Sequence, residues 1–512
     1  MLRSRFEYLF KSTRGLTLVA IGMISLVTAI WGTLSGPMVE WGVREFVIQI
    51  TGMDMNPAER EGRIIMLYHA ISMAVVAVET YLITDALPMK SHQRVTVNAT
   101  ITVGYMVSMV FGLLFGYFGH NFIFHGLFIF GQSTVFFAGC LLAAALWPWR
   151  KEFRIKGKDK AYAQTKGGLD LERVAFFVMA IATLGSALFG AVTGSYWGNG
   201  HETFLAEDLI REPHKTALQL SIIGHLHIML TLIGIAITLL VGRWLNFKGV
   251  LHKIAMPFMI FGSIVTTLGA WAVVPVETLA HTIIYGGSSF VLLAGLFLVI
   301  FGFGKLIREG LAERGIEKGN FFQAISALVR DPLRFGALWQ MVFMNFTVSF
   351  VGLFMAAKLD DIFRVWPFQE ERIVLTGHWH ILASLIATII LLYYADRAGL
   401  KGKARQWFGW LVIIGSDLAF ASVTVFEMKR LLVSESQQQP LVNTVMLLTE
   451  IGLAMLLIVL GALMFWRLID LFRGRGEWQS EYELTRFDRF RADEITAIEG
   501  DKRTDSGTEV DR

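Results

Sequence analysis

Stretches of about 20 apolar residues, each bounded by short charged or polar runs, recur twelve times along the chain. An α-helix rises about 1.5 Å per residue, so a run of that length crosses about 30 Å of hydrocarbon. The runs lie near 16–36, 64–87, 96–118, 123–147, 172–197, 219–243, 251–274, 283–304, 337–357, 373–395, 405–427 and 443–467. The first follows Met1-Leu2-Arg3-Ser4-Arg5 but spans a full bilayer and lacks a small-residue cleavage site, so it reads as a membrane helix and not a signal peptide. The pattern predicts an all-α integral membrane fold with twelve transmembrane helices over 1–473. A charged tail over 474–512 follows, containing Arg486-Phe487-Asp488-Arg489 and Asp501-Lys502-Arg503.

Composition agrees: 54% of the 512 residues are apolar, only 17% are charged, and mean hydropathy is +0.54. An ordinary soluble domain is excluded, and membrane lipid is the first partner implied. With the N-terminus placed inside, 36 of the 46 Lys and Arg residues fall in inner segments and ten in outer loops. That asymmetry puts both termini in the cytoplasm of a bacterial inner membrane or its equivalent. A basic inner surface accounts for the net charge of +4 without nucleic acid. The single cysteine, Cys140, rules out an internal disulfide and a covalent Cys-x-x-Cys-His haem attachment, and reads as a small core residue.

Histidine placement changes the picture most. The second, sixth and tenth segments open with Leu67-Tyr68-His69, Gly224-His225-Leu226-His227 and Gly377-His378-Trp379-His380. Each imidazole lies roughly 7 to 12 Å below the outer surface at the helical rise per residue. Imidazole in hydrocarbon is costly unless something binds it, so five in one layer point to metal or haem. His69 and His227 are 158 residues apart, His227 and His380 are 153 apart, and the chain divides into three pseudo-repeated groups of four helices. Within each His-x-His pair the side chains point about 200° apart on a helix, so they serve two centres better than one. A helix wedged between two flat cofactors would use that splay.

Twelve helices, His69 four residues before Met73, a Gly-His on the sixth helix and a His-x-His on the tenth resemble the catalytic subunit of the haem-copper oxidase and nitric oxide reductase superfamily. The resemblance covers about residues 1–470. It implies non-covalent b-type or related haem, two in number. His69 and His380 would be axial ligands of one haem, His378 the proximal ligand of the other, and His225 a ligand of the metal beside it. Lys429 and Arg430 sit where that family sets cations against haem propionates. The chain departs from the pattern on the seventh helix, which reads Val265-Thr266-Thr267-Leu268-Gly269-Ala270-Trp271 in place of two adjacent histidines. On the sixth helix Met229 and His227 stand where oxidases and reductases carry Tyr or Glu.

The expected function is therefore a respiratory-chain oxidoreductase component, an iron-binding haem protein that carries electrons between the quinone pool and a periplasmic c-type cytochrome or other redox subunit. A divergent oxygen or nitric oxide reductase is the alternative, its second metal site drawn from His225, His227 and His281, with His120 or His125. A cofactor-free proton-coupled transporter is the third reading. Glu79, Asp417 and Glu450 are intramembrane acids suited to protons or a quinol head, or to interhelical hydrogen bonds. The outer loop holding His201, Glu202, Glu207, Asp208, Arg211 and His214 reads as a solvated connection or a docking surface.

Overall fold

The computed structural model describes residues 8–35, 42–53, 57–119, 121–155, 161–194 and 216–473. The expected charged tail, His120, His201, His214 and the polar outer loop lie outside the described residues. Among those described there is no strand, only an isolated bridge between Gln164 and Asp170, and twelve helices are long and apolar enough to span a membrane. They are α1 (Thr13–Ser35), α2 (Pro57–Ala86), α3 (Ser91–Phe118), α4 (Phe122–Leu146), α5 (Leu171–Val192) and α6 (Ala217–Trp244). The second half comprises α7 (Val250–Ala272), α8 (Glu277–Ala312), α9 (Pro332–Met355), α10 (Phe368–Arg397), α11 (Gly402–Glu427) and α12 (Glu435–Arg473). The protein is an integral membrane protein, since only helices satisfy every backbone group within a lipid-facing segment of this kind. Leu457, Ile458 and Phe465 turn outward from α12 as a lipid-facing surface requires.

Several helices outrun the apolar windows that mark them. The eighth window, 283–304, grows into a helix from Glu277 to Ala312, and the twelfth, 443–467, into one from Glu435 to Arg473. Hydropathy ends where hydrocarbon would end, whereas the helical ladder continues into the interface with charged residues on its turns. Helix α9 carries a feature no periodicity announces, a π-helical turn over Phe343–Val348. There Asn345 Nδ2 donates to the Met341 carbonyl at 2.8 Å and Ser349 Oγ to the Met344 carbonyl at 2.9 Å, side chains standing in for displaced backbone bonds.

Hairpins α3–α4, α7–α8 and α11–α12 share one packing device. A Cβ on Gly104 would lie 2.7 Å from the Val135 nitrogen, one on Gly262 2.8 Å from the Gly287 carbonyl oxygen, and one on Gly452 2.5 Å from the Gly415 carbonyl oxygen. Small residues let the backbones touch, which is how helices gain packing energy where lipid competes equally for apolar side chains.

At the basic end, cations cap helix carbonyls. Arg173 at the start of α5 donates to Leu146 O at 3.1 Å, Ala145 O at 2.7 Å and Pro88 O at 2.9 Å, while its guanidinium sits over the Phe153 ring. Lys305 Nζ donates to Leu245 O at 2.7 Å and Arg467 Nη1 to Ala398 O at 3.1 Å. Each satisfies carbonyls left open where a helix stops. Much of the charge asymmetry in the sequence is thus also structural.

The core decides where the site lies. One continuous cluster of buried apolar side chains fills the bundle from the basic end up to Ala70, Ile228 and Ile381, each next to or one residue from a histidine. Beyond them the described residues form three further, smaller clusters, around Leu34, Leu67 and Tyr117, around Leu220, Val273 and Ala280, and around Phe363, Trp366 and Val374.

Candidate functional site

Five histidines stand where the continuous core ends. On α2, His69 is half-buried, and its ring lies 6.3 Å, centroid to centroid, from that of His225 on α6, the two planes 12° apart. His225 Nδ1 hydrogen-bonds the Ser186 carbonyl of α5 at 3.0 Å. Its seat is cut by Gly190, where a Cβ would collide with the imidazole. His227 turns elsewhere: its Nδ1 bonds the Ile223 carbonyl at 2.8 Å, its ring meets Trp379 of α10 edge-on at 5.2 Å, and it lies within electrostatic reach of His281 on α8. The two imidazoles of the pair therefore address different neighbours, α2 and α5 on one side, α8 and α10 on the other.

On α10, His378 packs toward Gly352 of α9, whose Cβ would lie 3.5 Å from His378 Cδ2, and its ring is 5.6 Å from that of Trp379. His380 is exposed. Across α2 and α6 the structure brings His69 together with His225. His125 packs against Phe115 at 5.5 Å within the α3–α4 hairpin. At the same level α7 presents Trp271, whose indole fills the space above Gly185 and donates to Ser186 Oγ at 3.3 Å.

The hydrogen bonds of His225 and His227 fix their tautomers. A ring whose Nδ1 is tied to a carbonyl has a fixed tautomer, with Nδ1 the donor and Nε2 the lone-pair nitrogen. Two imidazoles bonded in line to one metal at about 2.0 Å each hold donor nitrogens roughly 4 Å apart and ring centroids roughly 6 Å apart. The His69–His225 separation of 6.3 Å is of that size, with the ring planes near-parallel. Among the described residues no three His, Cys, Asp or Glu side chains converge as a metal cluster.

Charged groups surround the layer where α10 begins and α11 ends. Arg430 forms an ion pair with Glu370. Lys429 is buried, with its ammonium 4.9 Å from the centre of the Phe426 ring, and burial pushes its pKa below the ordinary lysine value. Glu427 is 1% exposed, neither carboxylate oxygen has a hydrogen-bond partner, and the group presses directly on Gly377, where no Cβ could stand.

Of the intramembrane acids, Asp417 is held by Trp339 Nε1 at 2.8 Å and Gln340 Nε2 at 3.0 Å, a polar tie between α9 and α11. Glu79 is buried on α2, and its Oε1 has no hydrogen-bond partner. Glu450 is exposed on α12.

Trp379, Ser186, Gly190 and Glu427 were not singled out from sequence. Trp379 could have been, as the residue between two histidines. Glu427 closes the eleventh apolar window, where a carboxylate reads as an interfacial end. Ser186 and Gly190 carry no signal without knowledge of what packs on them. No family model matches the chain, and no curated protein or solved structure matches it.

Proposed function

We propose that this chain is a membrane haem protein of the respiratory chain that carries electrons between the quinone pool and a periplasmic c-type cytochrome or other redox subunit, on a scaffold like that of the haem-copper oxidases. The observation that carries the reading is the His69–His225 pair, near-parallel at 6.3 Å with His225 Nδ1 tied to Ser186, in a layer where the continuous apolar core stops. Haem would supply a one-electron iron centre there. His69, His225, His378 and His380 are the ligands available to two such groups, and His227 with its fixed tautomer is a fifth. The resemblance pairs His69 with His380, whereas the packing pairs it with His225. Lys429 is the cation available to propionates, because Arg430 is already engaged by Glu370. The basic end faces the cytoplasm in this reading, and the three glycine-seamed hairpins are the third and fourth helices of the three groups of four. Glu79 is the acid free to exchange a proton near a quinol, since Asp417 is engaged by α9 and Glu450 faces outward.

The test is haem and metal content of the purified protein with reduced-minus-oxidised spectra. Low-spin haem b is expected, and His69→Ala should remove one low-spin signal. Loss of that same signal in His225→Ala but not His380→Ala assigns the pair to α2 and α6; the reverse assigns it to α2 and α10. Purified protein without haem would overturn the reading.

A second reading is a divergent oxygen or nitric oxide reductase with a metal drawn from His225, His227 and His281, the last within electrostatic reach of His227. It requires copper or non-haem iron in the preparation and a carbon monoxide shift of a high-spin haem; spectra unmoved by carbon monoxide exclude it.

A further inference from the structure

The basic end of the bundle, opposite the histidine layer, contains a cavity of about 370 Å³ where α2, α5, α6 and α10 meet the α6–α7 connection. That volume lies in the range of small-ligand sites. Its walls include Tyr162, Glu172, Arg243, Trp244, Asn246 and Arg397. The three histidine-bearing helices all reach it, α2 at Ala86, α6 at Arg243 and α10 at Arg397. At the helical rise this end lies roughly 25 to 29 Å from the imidazoles, so the cavity is separate from their layer.

Its polar groups are arranged with donors to spare. Arg243 gives Nη1 to Glu172 Oε2 at 3.0 Å and Nη2 to the Ala86 carbonyl at 3.2 Å. Arg397 pairs through Nη2 with Asp85 at 2.8 Å, while its Nε is buried without an acceptor. Asp396, next to Arg397 in the chain, is already held by Trp244 Nε1 at 2.7 Å and by Arg405. Asn246 is the one described non-glycine residue with positive φ, +50°. That conformation is the usual stop of a helix, with Phe247 N donating to the Gly242 carbonyl at 2.8 Å, and it sets Asn246 at the end of α6. The Tyr162 hydroxyl donates to Asn246 Oδ1 at 2.9 Å, which commits the amide oxygen and leaves the Nδ2 hydrogens for another acceptor.

We propose that this cavity binds a phosphate group, supplied either by an anionic phospholipid headgroup or by a soluble phosphate compound. Two guanidiniums and an amide NH₂ converge on a volume with one carboxylate, Glu172, on its wall, and guanidinium is the side chain best matched to phosphate oxygens. Of the other nearby acids, Asp396 is held by Arg405 and Trp244, Asp170 caps the start of α5, and Asp85 shares Arg397, whose remaining donors are those left for a phosphate. Asn246 is exposed on the α6–α7 connection, so a phosphate can reach the cavity from the basic end of the bundle.

The experiment uses the full chain in nanodiscs of phosphatidylcholine alone or mixed with phosphatidylglycerol, with retained lipid read by native mass spectrometry. A parallel arm measures thermal stability with inorganic phosphate against chloride at equal ionic strength. Asn246→Gly keeps a residue at ease with positive φ and removes the amide; Arg397→Gln removes one guanidinium. Preferential retention of phosphatidylglycerol, weakened about tenfold in each variant as expected for one hydrogen bond to a charged group, supports the headgroup source. Stabilisation by inorganic phosphate that both variants lose, without lipid retention, supports the soluble source. Equal behaviour of wild type and both variants, or no preference for phosphate in either arm, overturns the proposal.

Discussion

At Gly377 the backbone of α10 and the Glu427 carboxylate occupy space that any larger residue would contest. Gly377→Ala should destabilise the protein by about 1 to 3 kcal/mol, the usual cost of overpacking, measured as a fall in thermal midpoint. In Gly377→Ala/Glu427→Ala the loss should be smaller than the sum of the single losses, because the clash needs both partners. Strict additivity would show that the two sites are independent. Lys429 yields a prediction with a sign. Burial lowers its folded pKa, so across the interval between that value and the ordinary lysine value the unfolded chain binds more protons than the folded one. Stability from this group therefore rises as pH climbs through that interval, and Lys429→Met should flatten the slope in urea titrations of the cofactor-free protein. An unchanged slope would assign the dependence to another group. The histidines were legible in the sequence because imidazole is rare in hydrocarbon and the spacing put five at one depth. Glu427 and Gly190 were not, since a carboxylate at a helix end and a glycine in an apolar run are each common, and only tertiary contact gives them meaning.

For single elements, helices were readable and their contacts were not. Length and hydropathy predict all twelve spans, because lipid forces a long apolar run into a closed hydrogen-bond ladder. The π turn in α9 escapes such reasoning, since one extra residue per turn leaves an all-apolar pattern unchanged. The hairpin seams escape it too. Glycine recurs in nearly every span, and which ones face a neighbour depends on rotation about the helix axis. Gly262→Ala should separate α7 from α8 and destabilise by about 1 to 3 kcal/mol. Gly126→Ala on α4, where a Cβ would meet nothing within 4 Å, should be neutral or mildly stabilising through helix propensity. Comparing thermal midpoints of the two variants separates close approach from propensity; similar losses at both would show that the α7–α8 contact does not depend on the glycine.

Across the whole molecule, α2, α6 and α10 are built differently at their two ends. Toward the basic end they are locked by continuous apolar packing and by interhelical ties such as Arg243 to Glu172 and Arg397 to Asp85. Toward the histidines the described residues form three smaller, separate clusters, and separate clusters open locally more readily than one continuous core. Flat cofactors held by His69, His225, His378 and His380, as proposed, would add contacts there, so occupancy and rigidity of this layer should rise together, with ligand binding stabilising the folded form by mass action. Hydrogen exchange read by mass spectrometry can resolve the two ends of one helix. In cofactor-depleted protein, amides around His69, His225 and His378 should exchange much faster than amides around Ile83, Leu240 and Leu392 on the same helices. Adding haem should slow exchange at the histidine end and leave the basic end as it was. If haem addition leaves the histidine end as fast as before, those imidazoles do not hold the group. If both ends are equally protected without haem, the three small clusters alone suffice to close the bundle.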